Sequence, residues 1–248
     1  MFQVKICGVT TKDDARLVAD AGADAVGLNF VAGSPRRVTI ERARELMATL
    51  PAGILRVGVF AGTPAAAILE VANDVGLDCI QLHGHLAPHP TGSPGWAWDP
   101  PETCLALAPL PVIRAVRLRD DGPAEEALAP ARKWIAAAAA AGQPPAMLLV
   151  DAGVPSGQSS PASAGSLGGT GRVVDWGRLL AAGDVGLPVA LAGGLTAENV
   201  AAAIRATGVQ SVDTASGVEA SPGRKDPARV RAFVAAAVAA LGHNCPRL

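Results

Sequence analysis

Leu191-Ala192-Gly193-Gly194-Leu195 and Val212-Asp213-Thr214-Ala215-Ser216-Gly217-Val218-Glu219 share one design. In each, an apolar run gives way to small residues; the runs are Leu187 to Ala190 and Val209 to Val212. The first glycine pair is followed by Thr196-Ala197-Glu198-Asn199, which reads as a helix start with Thr196 as its cap. Glycine lets backbone N–H groups approach an oxyanion closely, and a helix N-terminus adds unpaired donors and positive dipole. Two consecutive strand ends of this kind suit a phosphate. In an eight-fold β/α barrel the phosphate commonly sits after strands 7 and 8, so six more strand–helix units are expected upstream.

Those units are there to be read. Gln3 to Cys7 is a strand and Lys12 to Ala21 a helix; Ala25 to Phe30 is followed by a helix over Thr39 to Thr49. Leu55 to Phe60 precedes a helix over Pro64 to Val75, and Cys79 to Leu82 is a fourth strand. Val112 to Val116 leads to a helix over Glu125 to Ala141, and Ala146 to Val150 to one within Val174 to Ala182. Pro227 to Leu241 is the last helix. The expected fold is therefore α/β, a single (β/α)8 TIM barrel over residues 1–242 with a tail at 243–248. Two Pro/Gly/Ser-rich stretches, His85 to Pro101 and Val154 to Gly168, are expected as insertions after strands 4 and 6. Both would lie where loops cover barrel active sites, or be tolerated surface loops.

Composition agrees. A chain of 248 residues is near the usual ~250 for one such barrel. At 50% hydrophobic and 17% charged it is too apolar for disorder and suits strands buried on both faces. A net charge of −1 offers no footprint for a nucleic acid. The longest alanine block, Ala136 to Ala141, falls far short of the ~20 apolar residues a membrane span needs. No basic-then-apolar leader precedes Val4, so a cytoplasmic protein is expected. Cys7, Cys79, Cys104 and Cys245 are too scattered for a disulfide framework. His83, His85 and His89 cluster, but with Asp99 and Cys104 they make no recognisable ligand spacing. A loop with one site-facing histidine, His83, is preferred to a metal site.

Several polar residues fall at strand ends, where barrel active sites lie. Cys7 closes the first strand beside Lys5; a nearby ammonium favours thiolate, which makes a proton acceptor. It reads equally as a small buried hydrophobe. Asp151 follows four apolar residues, as a general acid or as a turn cap. Arg36, in Ser34-Pro35-Arg36, can fork a carboxylate, with Arg37 as its rival.

These residues sit within motifs that resemble the phosphoribosylanthranilate isomerase family along nearly the whole chain. They include Lys5-Ile6-Cys7-Gly8-Val9-Thr10, Gly22-Ala23-Asp24-Ala25-Val26-Gly27 and Ser34-Pro35-Arg36. Val57-Gly58-Val59-Phe60, Gln81-Leu82-His83-Gly84, Val150-Asp151 and Gly168-Gly169-Thr170-Gly171 continue the series. Leu191-Ala192-Gly193-Gly194-Leu195, Ser216-Gly217-Val218-Glu219 and Pro222-Gly223-Arg224-Lys225-Asp226 complete it. The resemblance implies an Amadori rearrangement of N-(5-phosphoribosyl)anthranilate in tryptophan biosynthesis, with Cys7 as base and Asp151 as acid. It also implies substrate contacts from Lys5, Arg36, His83 and Asp213, and phosphate contacts from Gly169, Gly193, Gly194, Ser216 and Gly217. The implied partner is a small phosphorylated substrate, with no organic cofactor, no metal, no nucleic acid and no membrane; the chain is expected as monomer or homodimer. Thr214-Ala215, where the family usually has Val-Ser, is expected to remove one hydroxyl near the phosphate. Two rivals remain open: a barrel isomerising another sugar phosphate, and a barrel that binds phosphate without turnover.

Overall fold

The computed structural model describes residues 1–83, 85–88, 94–97, 99–119, 122–151 and 174–242. Its centre is a closed parallel barrel built from β1 (Val4–Cys7), β2 (Ala25–Asn29), β3 (Leu55–Phe60) and β4 (Cys79–Leu82). It continues with β5 (Val112–Arg117), β6 (Met147–Asp151), β7 (Val189–Leu191) and β8 (Ser211–Thr214). The strands neighbour one another in sequence order, and β8 closes on β1 with Lys5 opposite Asp213. Helices follow the strands: α1 (Lys12–Asp20), α2 (Ile40–Met47), α3 (Ala65–Val75) and α4 (Thr103–Ala106), then α5 (Ala129–Ala140), α6 (Trp176–Ala182), α7 (Val200–Thr207) and α8 (Pro227–Gly242).

Alternation along each strand sorts its residues between two cores. Odd-numbered positions of the early strands point inward: Ala25, Val57, Cys79 and Ile113 join Met147, Leu149 and Ala190 in an apolar plug inside the barrel. Their neighbours, such as Ile6, Val26, Ile80, Leu148 and Val212, face the helices and form the larger outer core. Inward parity therefore also applies to Lys5 and Cys7 on β1, Gln81 on β4, Asp151 on β6 and Asp213 on β8.

Local chemistry sets the helix ends. Thr11 accepts from the Asp14 N–H, Thr39 from Arg42 and Asp175 from Arg178 at the starts of α1, α2 and α6. Some boundaries differ from expectation. Helix α7 starts at Val200 rather than at Thr196, because Asn199 serves both sides of the turn: its Oδ1 accepts from the Thr196 N–H and its Nδ2 donates to the Gly194 carbonyl. Strand β7 begins after Pro188, which lacks the N–H a ladder needs, and β8 begins two residues later than the apolar run. The helix expected over Glu125 to Ala141 is a 3₁₀ turn (Ala124–Glu126) followed by α5.

After β4, His85–Pro88 and Pro94–Ala97 pair as an antiparallel ribbon ahead of the single-turn helix α4. The stretch Val154 to Gly168 and the tail at 243–248 lie outside the described residues.

Candidate active site

A cavity of about 580 Å³, counted with its mouth, opens at the C-terminal ends of the strands. Its wall includes Cys7, Arg36, His83, Asp151, Gly193, Gly194, Asp213 and Ser216 from the expected set, and Asn29, Gln81 and Thr214 besides. Two expected residues stand elsewhere, and a third is not described. Gly169 is outside the described residues. Gly217 lies in the turn Ser216–Val218, where a Cβ would run into the Leu195 carbonyl, so it packs two loops together and is not part of the cavity wall. Lys5 is fully buried behind the wall, with Nζ 2.9 Å from Asp213 Oδ1.

That ion pair governs the region under Cys7. Burial alone would lower the Lys5 pKa, but the Asp213 carboxylate and then the Cys7 thiol more than offset it, and the value rises. Lys5 stays an ammonium. The expected thiolate at Cys7 is opposed by its surroundings. Burial pushes the thiol up, and the opposing pull of Lys5 and Lys225 does not overcome it. Gly27, opposite Cys7 across the β1–β2 ladder, makes room for the sulfur: a Cβ there would sit 2.7 Å from Sγ.

Arg36 is buried in the wall, while Arg37 is exposed. The Arg36 Nε and Nη2 donate to the two oxygens of Glu219 at 2.8 and 2.7 Å. This fork fixes the guanidinium, and Nη1 has no hydrogen-bond partner among the described residues. Glu219 in turn accepts from Lys225 Nζ at 3.0 Å, and the same ammonium donates to the carbonyls of Cys7 (2.7 Å) and Ala215 (3.1 Å). Glu219 and Lys225 were visible in the sequence only as parts of motifs. Nothing local marks them as partners of a residue 183 positions away.

On the opposite side, Asp151 ends β6 with Arg117 beside it in register on β5. Burial lowers the Arg117 pKa and the Asp151 carboxylate counters that. His83 follows β4 as a neutral imidazole, its pKa lowered to about 4 by burial and then by Arg117. Asp99, one of the grouped residues, is paired with Arg114, and among the described residues no cluster of three His, Cys, Asp or Glu can hold a metal.

At the third side, Gly193 and Gly194 both adopt left-handed backbone, at φ 81° and 62°, which side chains disfavour. Their N–H groups have no partner among the described residues, so an anion is the natural complement. The Thr214 hydroxyl donates to the Leu195 carbonyl at 2.8 Å and ties this loop to the one after β8. The Thr214 hydroxyl thus ties the loops together while the residue lines the cavity, and Ala215 contributes its carbonyl to Lys225.

The family described as N-(5'phosphoribosyl)anthranilate (PRA) isomerase matches residues 4–91 and 111–236. The N-(5'-phosphoribosyl)anthranilate isomerase of Pelobacter propionicus is 40% identical over 235 residues, which is 94% of this chain and 94% of that protein. That of Rubrobacter xylanophilus is also 40% identical, over 96% of this chain and 99% of its own. The crystal structure of phosphoribosyl anthranilate isomerase from Thermotoga maritima matches with a TM-score of 0.76 at 32% identity, covering 96% of this chain and 100% of that one. A phosphoribosyl anthranilate isomerase in complex with reduced 1-(o-carboxyphenylamino)-1-deoxyribulose 5-phosphate matches at 0.73 and 32%, with the same coverage. By this likeness over nearly its whole length, the chain belongs to the N-(5'-phosphoribosyl)anthranilate isomerase family.

Proposed function

We propose that this isomerase converts N-(5-phosphoribosyl)anthranilate to 1-(2-carboxyphenylamino)-1-deoxyribulose 5-phosphate with Asp151 as general acid and Cys7 as general base. The observation that carries the assignment is that both groups face one cavity from β6 and β1, with Arg36 and the unpaired glycine amides on its other walls. The Asp151 carboxyl gives its proton to the ribofuranose ring oxygen, the C1–O bond breaks, and the nitrogen lone pair forms a protonated imine. The Cys7 thiolate then takes the C2 proton, and the C–H electrons flow to the iminium nitrogen. The resulting enolamine tautomerises to the ketose. The iminium is the electron sink, so the chemistry calls on no cofactor.

Binding is shared among anchors. Arg36 takes the anthranilate carboxylate through Nη1, Gly193, Gly194 and Ser216 take the phosphate, and Asp213 accepts from a sugar hydroxyl. Lys5 acts through Asp213 and Cys7, and neutral His83 supports the aromatic end. Fixing the substrate at both ends cuts the entropic cost of aligning C2 with sulfur and the ring oxygen with Asp151. A cytoplasmic monomer or homodimer goes with this reading. Among the described residues no helix is long and apolar enough to cross a membrane.

Loss of the fluorescence of N-(5-phosphoribosyl)anthranilate measures turnover directly. Wild-type protein should turn over. Cys7→Ser and Asp151→Asn should each slow it by about 10²- to 10⁴-fold while still binding the reduced product analogue. A folded Cys7→Ser protein working at the wild-type rate would refute the assignment, leaving Cys7 as packing.

A further inference from the structure

Gln81 is a polar side chain that no role above has used. It lies on β4 with inward parity and is 2% exposed, yet it lines the cavity. Its ladder neighbours are Val59 on β3 and Ile113 on β5, so apolar side chains flank it on both adjacent strands. No hydrogen bond to either end of that amide exists among the described residues, and Oε1 is shut off from solvent. Leaving a buried amide unpaired costs stability, and a native chain tolerates it where a ligand supplies the missing partner. Leu or Met at this place would fill the same volume at no such cost.

We propose that Gln81 is a substrate-contacting residue whose side-chain amide accepts a hydrogen bond from an N–H or O–H of the reacting segment, between the aromatic ring and C3 of the sugar. The inference rests on the isomerase reading and deepens it. Position selects that segment. Strand β4 is opposite β8 in the closed barrel, away from the glycine loops, and Gln81 stands two residues before His83 on the same face. Arg36 offers donors to the aromatic end and the loops offer donors to the phosphate, so neither anion can satisfy Oε1. The substrate's own donors lie between them. They are the linking nitrogen and the sugar hydroxyls, and the nitrogen becomes cationic on ring opening, which strengthens any bond to a carbonyl acceptor.

Gln81→Met tests this, because the unpaired state and the ligand contact predict opposite signs. Removing an unsatisfied buried amide should leave the melting temperature of the free protein unchanged or raised. Removing the ligand's acceptor should lower kcat/KM by about 10- to 100-fold. Saturating reduced product analogue should then raise the melting temperature less than it does for wild type. A loss carried by kcat assigns the donor to the nitrogen that gains charge, and one carried by KM assigns it to a sugar hydroxyl. A lowered melting temperature would overturn the proposal, since the amide would then be paired within the protein. Unchanged kcat/KM would overturn it as well. Wild-type turnover in the same assay keeps the two readings apart: its absence would sink the isomerase assignment, whereas a silent Gln81→Met beside an active wild type sinks only this one.

Discussion

Replacing Lys225 by Met removes the one charge that ties Cys7, the loop after β8 and the Arg36 anchor together. The Lys225 side chain is fully buried, and its ammonium makes three bonds: to the Cys7 carbonyl, the Ala215 carbonyl and Glu219. Burial lowers its pKa, with Glu219 the largest opposing influence, so the charge is held at some expense. Met matches its length and can fill the space, which restricts the loss to electrostatics and hydrogen bonding. Breaking a buried pair from one side typically costs about 3–5 kcal/mol, because the partner charge is stranded. Glu219 is not wholly stranded here, since the Arg36 fork remains. Two carbonyls do lose a donor, at about 1–3 kcal/mol each where water cannot replace it, and the desolvation of Lys225 is recovered in part. A net loss of about 3 kcal/mol follows.

At roughly 2–4 °C per kcal/mol for a domain of this size, the melting temperature should drop by about 6–12 °C. Urea denaturation should show a lower midpoint at an unchanged m-value. Catalysis should respond in a direction of its own. Lys225 is one of two cations that pull the Cys7 pKa down against burial, so its loss lets the thiol climb further. The rising limb of the pH–rate profile should move to higher pH while KM changes little, because Arg36 keeps its fork. A Lys225→Met protein that melts within 1–2 °C of wild type and keeps its pH profile would refute the reasoning: the three bonds would then be replaceable by water.

Two other outcomes are expected. Gly194→Asp sets a carboxylate and a disfavoured left-handed backbone where the unpaired amides meet phosphate, so KM should rise far more than stability falls; an unchanged KM in a folded variant would remove the phosphate from this loop. His83 has a folded pKa of about 4 against 6.5 when unfolded, so it contributes stability above pH 6.5 that is lost as pH falls toward 4. Wild type should therefore lose stability through that window more steeply than His83→Gln, and parallel curves in acid denaturation would show that the imidazole is free to charge in the folded state.

The order of strands and helices could be read because parallel barrel strands are apolar runs bounded by caps and glycines. Which side of each strand faces inward could not. Met147 to Val150 is apolar without a break, so nothing in it says whether Leu149 or Val150 points at the ligand, or that Asp151 inherits the inward parity. The strand ends carrying Cys7, Arg36 and Asp151 were legible from position alone. Their state was not, because it depends on contacts distant in sequence: Lys5 with Asp213 across 208 residues, Arg36 with Glu219 across 183, Lys225 with Cys7 across 218. The balance of influences on the Cys7 thiol was hidden for this reason. Adjacency to Lys5 was visible, but not that Asp213 claims the ammonium and that burial outweighs what remains. Gln81 was hidden differently. A lone amide in a strand motif looks like any polar residue until its surroundings are seen to be apolar and without a partner.

The raised thiol pKa gives the proposed chemistry a direction. The substrate brings a phosphate and a carboxylate into the cavity, and added negative charge makes thiolate still less favourable. Lys5 and Lys225 are shared with Asp213 and Glu219, and their pull on the thiol does not overcome burial. On the proposed assignment, a further positive charge that favours thiolate at Cys7 is the iminium formed when Asp151 protonates the ring oxygen, and it arises on the atom next to C1, within reach of C2. That same cation acidifies the C2–H bond. Before ring opening the base is therefore weak and the substrate proton inert; after it, both change together in the favourable sense. Acid catalysis must come first, and a buried cysteine rather than an exposed carboxylate enforces that order.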